Sequence, residues 1–236
     1  MIRAITYYTD QYYISADSLH LSCMKYGVED FQAYAGLPDY YYKLIGSNAE
    51  ETQRHHFYLW KPFIIWQHIQ TVPDGDILIY ADAGQTITNS FFPLIERMDQ
   101  DIMFFHNPWK HVEWCKMDVA AAINYYEWFD TDLDEIRKKY AEVKQVQASL
   151  IIFKVTPEVR NFVKEWLLWC LMPGFCDNSP SKIPNRSTFQ EHRYDQAVLT
   201  CLQIKYGYKI HEFPSILNMN SPYRLTDHHR KTNSQW

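Results

Sequence analysis

Strand-like and helix-like segments alternate along this chain, and the alternation restricts its fold more than any other feature of the sequence. Short apolar runs predict strands at 2–9, 28–34, 77–81, 102–105, 149–154 and 208–213. Capping signals and helical periodicity predict helices from an N-cap at Ser15 to a stop at Gly27, and at 58–69, 157–171 and 191–206. This order is typical of α/β folds with a mainly parallel central sheet flanked by helices.

The length and composition suit one folded domain. Hydrophobic residues make up 47% of the 236 residues, which is enough to form a sizeable core. No linker interrupts residues 1–217, so we expect one domain there, followed by a polar C-terminal tail at 218–236. The net charge of −5, with no basic block, gives no support for a nucleic-acid partner.

Cysteine usage and hydropathy bear on the compartment. The five cysteines are scattered without a CxxC pair, which favours free thiols in a reducing environment. No run reaches the roughly 18 apolar residues of a membrane-spanning helix, and the N-terminal stretch MIRAITYY has no apolar signal region. The sequence therefore predicts a soluble, cytoplasmic protein without a transmembrane segment, and it leaves peripheral membrane association open.

One predicted strand delivers a single carboxylate to a turn. The apolar run 77–81 continues directly into Asp82, and the small residues Ala83 and Gly84 follow. A carboxylate at the end of a strand, next to small residues, can bind Mn²⁺ or Mg²⁺ while a phosphate-bearing ligand approaches the backbone. The alternative is that Asp82 only caps a turn, because Asp and Gly are common turn residues.

This stretch resembles the donor-binding region of nucleotide-sugar-dependent glycosyltransferases of the GT-A fold. In that family a buried strand with an aromatic residue near its end leads into an acidic DxD motif, and Tyr80-Ala81-Asp82-Ala83-Gly84 stands at the corresponding place. Gly84 replaces the second acidic residue. The resemblance implies a single Rossmann-like GT-A domain in which Tyr80, Asp82, Ala83 and Gly84 bind the donor and Asp82 holds Mn²⁺ or Mg²⁺.

A literal DxD sequence, Asp74-Gly75-Asp76, precedes the same strand. Because it comes before the strand, we expect it at the opposite edge of the sheet, where it would form a turn.

Two further segments carry the resemblance. The stretch 58-YLWKPFII-65 is similar to a WKP segment of small bacterial and viral glycosyltransferases, which implies that Lys61 meets a phosphate. The pair Asp195-Gln196 is similar to the DQ segment of retaining enzymes such as the glycogenin and lipopolysaccharide galactosyltransferase family, which implies catalytic roles for both residues near the donor sugar. The alternatives are a solvated Lys61 in the first turn of a helix, and simple helix capping by Glu191 or Asp195.

The resemblance also implies contacts with the nucleotide base and with the acceptor. The base is expected near the first strand, at Tyr7, Tyr8 and Thr9. The acceptor is expected to contact polar residues of other segments, namely Asp118, Gln147, Ser149 and His192. For Asp118 the alternative is a favourable charge at a helix N-terminus.

The tail contains Asp227-His228-His229-Arg230. Many GT-A enzymes draw a histidine from a C-terminal segment to complete the metal shell and to close over the diphosphate. The resemblance therefore implies His228 or His229 as a further metal ligand and Arg230 as a phosphate contact. The alternative is a disordered basic tail.

Taken with the resemblance, these features predict a metal-assisted hexosyltransferase that moves a sugar from a UDP- or GDP-sugar to a glycan or other hydroxyl acceptor, with retention favoured over inversion. Two alternatives stay open: a non-catalytic module that binds nucleotide sugars or glycans, and a metal-dependent phosphoesterase or nucleotidyltransferase. The sequence contains no HExxH, GxxxxGK[ST], GxGxxG or GxSxG motif, which argues against several other catalytic classes.

Overall fold

A computed structural model describes residues 1–45, 58–124, 138, 140–217, 219, 224–229 and 231–235. Its strands are β1 Ile2–Tyr7, β2 Asp30–Tyr34, β3 Ile77–Ala81, β4 Gln85–Ile87, β5 Ile102–Lys110, β6 Lys144–Val146, β7 Leu150–Lys154, β8 Ile210–Glu212 and β9 Thr226–His228. Its α-helices are α1 Tyr13–Lys25, α2 Asp39–Leu44, α3 Trp60–Ile69, α4 Phe92–Ile95, α5 Met117–Asn124, α6 Pro157–Leu171 and α7 Tyr194–Tyr206.

Seven of the described strands form one mixed sheet in the order β2-β1-β3-β7-β5-β6, with β8 also pairing to β5. Strand β1 pairs in parallel with β2 and β3, and β8 pairs in parallel with β5. Strand β7 is antiparallel to both β3 and β5, and β6 is antiparallel to β5. Only β6 and β7 therefore oppose the common strand direction, which agrees with the expected mainly parallel α/β sheet.

Strand β3 is apolar throughout because both faces of the sheet are covered. Its residues Leu78 and Tyr80 pack into one core cluster, with helices α3, α5, α6 and α7. The alternate residues Ile77, Ile79 and Ala81 pack into a second cluster, with α1 and α4. Side chains alternate between the two faces of a strand, so a strand buried on both faces has no polar positions to offer. Polar side chains of this segment that could bind a ligand therefore lie only beyond the ends of β3.

Several predicted boundaries are confirmed. Strand β3 has the predicted limits, and α6 begins at Pro157 after Thr156, whose side chain accepts a hydrogen bond from the Val159 N–H at 3.2 Å. The sequence Asp74-Gly75-Asp76 lies before β3, at the opposite edge from Asp82, and Gly75 has a φ of +87°. That positive φ is the conformation expected of a glycine in a tight turn.

Other boundaries differ for physical reasons. Ser15 does not cap α1, which begins at Tyr13; its hydroxyl donates instead to the carbonyl oxygen of Lys231 at 2.6 Å. Strand β5 does not end at Phe105 but continues through Pro108 to Lys110. Its pairing with β6 is irregular between His106 and Lys110, so the missing N–H of the proline breaks no regular ladder.

Helix α7 begins at Tyr194 rather than at residue 191. The backbone N–H groups of Gln190 and Arg193 donate to the carbonyl oxygens of Glu113 and Trp114, at 2.8 and 3.0 Å. These bonds hold the chain against the segment after β5, so the helix starts only one residue before Asp195.

Within the described part of the chain, no helix has both the length and the apolar character needed to cross a bilayer.

Candidate active site

The turn after β3 places Asp82 at the carboxyl end of this interior strand. Tyr80, the penultimate residue of β3, donates its hydroxyl hydrogen to Asp82 Oδ1 at 2.6 Å. Backbone bonds fix the turn from both sides, because the Asp82 N–H donates to the Ser149 carbonyl and the Gln85 N–H donates to the Asp82 carbonyl, both at 2.9 Å. Burial raises the pKa of Tyr80 well above its ordinary value, and the Asp82 charge raises it further, so this hydroxyl stays a donor.

Lys61 connects this turn to helix α7. It lies in the first turn of α3, is only 4% exposed, and places Nζ 3.1 Å from Asp82 Oδ1 and 3.9 Å from Asp195 Oδ2. The ammonium also donates to the Ala148 carbonyl at 3.0 Å. Burial lowers the pKa of Lys61, but the charges of the two carboxylates outweigh it, and the pKa lies above its ordinary value. The interpretation of Lys61 as a solvated helix residue is therefore wrong.

Asp195 is the buried member of the pair. It lies in the first turn of α7, its side chain is 5% exposed, and its backbone carbonyl accepts the Trp166 indole N–H at 2.9 Å. Burial raises the pKa of its carboxyl to about 7, although the Lys61 ammonium opposes the rise. Carboxyls with strongly raised pKa values are common at catalytic sites. Its place at the N-terminal end of a helix agrees with the sequence prediction.

Backbone strain is concentrated beside these two residues. Among the described residues, the non-glycine residues with positive φ are Tyr58, at +66°, and Tyr194, at +41°. Tyr194 directly precedes Asp195, Tyr58 lies three residues before Lys61, and their rings are 6.3 Å apart. Such a conformation costs about 1–3 kcal/mol and persists only where surrounding contacts enforce it, often at functional sites. No sequence signal indicates it.

Gln196, Gln147 and Ser149 take part in two sets of hydrogen bonds around residues 145–149, together with Gln145 and Gln85, which the sequence analysis did not identify. The Gln196 carboxamide accepts from the Ala148 N–H at 3.1 Å and donates to Gln145 at 2.8 Å. The Ser149 hydroxyl accepts from Gln147 at 2.9 Å and from Gln85 at 3.2 Å. The carboxamide of Gln196 thus ties α7 to the segment before β7.

The C-terminal tail reaches the Asp82 turn. Strand β9 pairs antiparallel with β4, and the His229 N–H donates to the Gly84 carbonyl at 2.7 Å. A Cβ at Gly84 would lie 2.1 Å from the His229 carbonyl oxygen and 3.7 Å from the His228 ring, so only glycine fits this contact. The His229 ring contacts the Thr86 hydroxyl through Nε2 at 3.2 Å and the Lys231 N–H through Nδ1 at 3.4 Å. Arg230 lies outside the described residues.

The residues expected at the base-binding position lie at the end of β1, which neighbours β3. The Tyr7 ring packs against Trp60, the residue before Lys61, with a centroid distance of 4.4 Å. Tyr8 packs against Tyr13 at 6.1 Å, and the Thr9 carbonyl accepts from the Tyr12 N–H at 2.7 Å.

The side chains of Asp118 and His192 are hydrogen-bonded to residues of the segments 116–119 and 175–182 rather than to the Asp82 turn. The Asp118 carboxylate accepts from the Ser181 hydroxyl at 3.0 Å and from the Lys182 N–H at 2.8 Å. The His192 ring accepts from the Lys116 N–H at 3.2 Å and contacts the Phe175 carbonyl at 2.6 Å. A cleft of about 650 Å³ opens beside these residues rather than at Asp82.

The residues at the Asp82 turn can supply one or two ligands to a divalent ion, which would take its other ligands from phosphate and water. Asp82 is the one carboxylate of the turn, and its side chain is 31% exposed. The described residues form no preassembled group of three His, Cys, Asp or Glu ligands there. Both tail histidines lie beside Gly84, so His228 or His229 is the candidate second ligand. Mg²⁺ and Mn²⁺ commonly take one or two protein ligands and complete their shells with phosphate and water.

The fold resembles solved glycosyltransferases. No protein-family model matches the sequence, and no curated protein matches it either. A glycosyltransferase involved in the glycosylation of the major capsid of PBCV-1 matches over 92% of this chain and 84% of its own, with a TM-score of 0.50 and 11% identity. At this identity the likeness concerns the fold, and it confirms the predicted glycosyltransferase fold.

Two further solved structures match less well. The bifunctional glycosyltransferase WbbM matches 90% of this chain, which spans 38% of WbbM, with 13% identity and a TM-score of 0.47. Mouse xyloside xylosyltransferase 1 matches 90% of this chain and 84% of its own, with 10% identity and a TM-score of 0.43.

Proposed function

We propose that this protein is a glycosyltransferase that moves a hexose-type sugar from a UDP- or GDP-sugar to a hydroxyl group of a glycan or glycoconjugate. The observation that carries the proposal is the buried Lys61 ammonium, held between Asp82 at the end of β3 and Asp195 at the start of α7. In an α/β sheet of this kind, ligands bind outside the carboxyl ends of the strands, which is where Asp82 lies.

Lys61 and the Asp82 turn are the proposed diphosphate site. Lys61 supplies a cation whose position is fixed by its contacts with Asp82, Asp195 and the Ala148 carbonyl, so it needs no reorganisation as charge develops on the leaving group. Asp82, with His228 or His229 beside Gly84, would hold Mn²⁺ or Mg²⁺. When bound, such an ion would neutralise charge on the diphosphate.

Asp195 is the proposed carboxylate nearest the transferred sugar. In the reaction the bond between the anomeric carbon and the diphosphate oxygen breaks, and the acceptor oxygen forms the new bond. Positive charge grows on the sugar in between, as in glycoside hydrolysis, and a buried carboxylate stabilises it. We propose retention, in which the acceptor proton passes to the departing diphosphate and no separate base is needed.

The remaining predicted contacts complete the proposal. Tyr7, Tyr8 and Thr9 at the end of β1 are proposed to bind the nucleotide base. Gln147 and Ser149 are hydrogen-bonded to each other on either side of Ala148, whose N–H donates to Gln196, and they are proposed to contact the acceptor. His192 lines the separate cleft, and Asp118 is hydrogen-bonded to Ser181 and Lys182 of its wall; a longer acceptor would extend there.

Thermal denaturation with UDP, GDP and their sugar derivatives, each with Mn²⁺ and with EDTA, tests donor binding. At a ligand concentration of about 100 times Kd, one diphosphate nucleotide should raise Tm by about 5–10 °C, and EDTA should remove most of the rise. The variant Asp82→Asn should lose the metal-dependent part. The matched control is Asp74→Asn, in the literal DxD sequence at the opposite edge, which should keep it.

Release of nucleotide diphosphate in the presence of acceptor hydroxyls, with product anomers read by NMR, tests the reaction. Tm shifts without release in a broad acceptor screen would indicate a binding module instead. No shift with any nucleotide sugar, with or without Mn²⁺, would refute the proposed function.

A further inference from the structure

Three soft metal ligands meet in the core, away from the Asp82 turn. His111 begins a short 3₁₀ helix after β5, Cys115 lies just before α5, and Cys201 lies within α7. His111 Nε2 is 3.4 Å from Cys201 Sγ, and Cys115 Sγ is 3.8 Å from Cys201 Sγ. All three ligand atoms lie within 4.8 Å of one another. No other group of three His, Cys, Asp or Glu ligands forms among the described residues.

These spacings agree with those of a zinc site. Zinc lies about 2.3 Å from a thiolate and about 2.0–2.1 Å from an imidazole nitrogen, so ligands of a tetrahedral site are about 3.5–3.8 Å apart. The distances from Cys201 Sγ to its two partners, 3.4 and 3.8 Å, match these values. The third distance, between His111 and Cys115, is at most 4.8 Å, so closing that side of the triangle needs a shift of no more than about 1.3 Å.

The charges also suit a buried position. His111 and Cys201 are completely buried, and Cys115 is 4% exposed. An ion with two positive charges, two thiolates and one neutral imidazole carries no net charge, so its burial avoids the cost of an isolated ion. Soft sulfur and imidazole ligands favour zinc over Mn²⁺ and Mg²⁺, which prefer oxygen.

We propose that His111, Cys115 and Cys201 supply three of the four ligands of one Zn²⁺ ion, with a water molecule as the fourth, and that this ion is independent of the proposed function. Both thiols lose their protons to solvent when the ion binds. The ion would join α7, which carries Asp195, to the chain segment between β5 and α5. The His111–Cys115 segment and helix α7 are far apart in sequence, so the ion would add a cross-link to the backbone hydrogen bond that Arg193, at the start of α7, already makes with Trp114.

Cobalt substitution tests the site directly. The full chain, reduced and freed of metal by a chelator, is titrated with Co²⁺ under anaerobic conditions. One equivalent should produce thiolate-to-cobalt charge-transfer absorption and the intense visible bands of tetrahedral cobalt, and one equivalent of Zn²⁺ should remove both. Mn²⁺ and Mg²⁺, the ions expected at Asp82, give neither signal. Elemental analysis of the purified chain should find about one zinc per chain.

Variants identify the ligands. Cys201→Ser and Cys115→Ser should each weaken zinc binding by at least about 100-fold and reduce the charge-transfer band. The matched controls are Cys23→Ser and Cys170→Ser, which remove buried thiols outside the cluster and should keep the full spectrum. If Cys201→Ser does not fold, the titration of the unmodified chain still decides the matter.

Two results would overturn the proposal. One is the absence of any charge-transfer band in the reduced, unmodified chain at several equivalents of Co²⁺, which would mean that the three side chains only pack together. The other is a band that survives in Cys201→Ser or disappears in Cys170→Ser, which would place the ion elsewhere.

Discussion

The turn after β3 and the first turn of α7 each bring one carboxylate to Lys61, but they hold it differently. The Asp82 side chain is 31% exposed and accepts the Tyr80 hydroxyl hydrogen. The Asp195 side chain is 5% exposed, and burial raises its pKa to about 7. The Lys61 ammonium therefore contacts two carboxylates, of which Asp82 is accessible to solvent and ligands and Asp195 is almost completely buried.

This difference suggests a division of roles. An exposed carboxylate beside small residues can exchange its partners, so Asp82 is suited to binding a ligand or an ion. A buried carboxylate depends on its counter-charge, because removal of one member of a buried ion pair leaves an uncompensated charge. Asp195 is thus suited to a fixed electrostatic task, and Lys61 is the group on which both carboxylates depend.

The largest effect is expected from Lys61→Met. The substitution keeps the apolar stem but leaves Asp195 without its cation, so the free energy of unfolding at pH 8 should fall by about 3–5 kcal/mol. At pH 5 the loss should be smaller, because Asp195 is then protonated and needs no counter-charge. Urea denaturation at the two pH values measures both losses, and transfer activity should fall by about 100-fold or more.

An exposed ion pair provides the control for this substitution. Lys110 and Glu142 are 3.0 Å apart, with side chains 48% and 82% exposed, so Lys110→Met should cost no more than about 1 kcal/mol. Equal losses in the two variants, or a loss for Lys61→Met that does not depend on pH, would show that the Asp195 charge is not what Lys61 stabilises.

The next effect separates the two carboxylates by function. Asp82→Asn should weaken the Mn²⁺-dependent binding of nucleotide diphosphate, because it changes the accessible ligand. Asp195→Asn should leave that binding within about threefold and lower sugar transfer by about 100- to 1,000-fold, because it removes charge stabilisation of the transition state. Calorimetric titration and initial-rate kinetics provide the two readouts. If both variants lost nucleotide binding to the same extent, the proposed division of roles would be wrong.

A third substitution, Gly84→Ala, tests the contact between the Asp82 turn and the C-terminal tail. In Gly84→Ala the new Cβ would lie 2.1 Å from the His229 carbonyl oxygen, so β4 and β9 would have to separate. We expect a loss of about 1–3 kcal/mol in the free energy of unfolding, faster proteolysis of the tail, and a smaller Mn²⁺-dependent Tm shift. Gly36→Ala is the control, because a Cβ there meets nothing within 4 Å. An intact tail and an unchanged Tm shift in Gly84→Ala would contradict this account.

Local signals made part of this structure predictable from the sequence. Strand β3 was recognisable because burial on both faces leaves only apolar residues, and the start of α6 because Thr156 and Pro157 suit a helix N-terminus. The resemblance to GT-A enzymes selected Lys61, Asp82 and Asp195. The structure then brings these three residues into one cluster.

The rest depends on contacts between distant parts of the chain. Strand β9 forms because β4 is available to pair with it, and Ser15 does not cap α1 because the helix begins two residues earlier, at Tyr13. The positive φ angles of Tyr58 and Tyr194 result from tertiary constraint, since neither residue type favours that conformation. The burial of Lys61, which decides its role, likewise appears only when α3, β3 and α7 are assembled.

The smallest expected effect is the change in the free energy of unfolding with pH that Asp195 causes. It is also the most direct test of the buried carboxylate. Burial raises the folded-state pKa of Asp195 to about 7, whereas an aspartate in an unfolded chain titrates near about 4. Between these values the folded protein keeps a proton that the unfolded chain has released. Raising the pH through this range therefore favours unfolding, by at most about 1.4 kcal/mol per pH unit for this one group.

Comparison with Asp195→Asn isolates that contribution. The free energy of unfolding of the unmodified chain minus that of Asp195→Asn should decrease from about pH 4 to about pH 7 and stay level above it. Denaturant titrations at intervals across this range measure the difference. If it rose with pH instead, the attraction of Lys61 would outweigh burial, and the pKa of Asp195 would lie below its ordinary value. The contrast between the exposed Asp82 and the buried Asp195 would then be a contrast in accessibility alone.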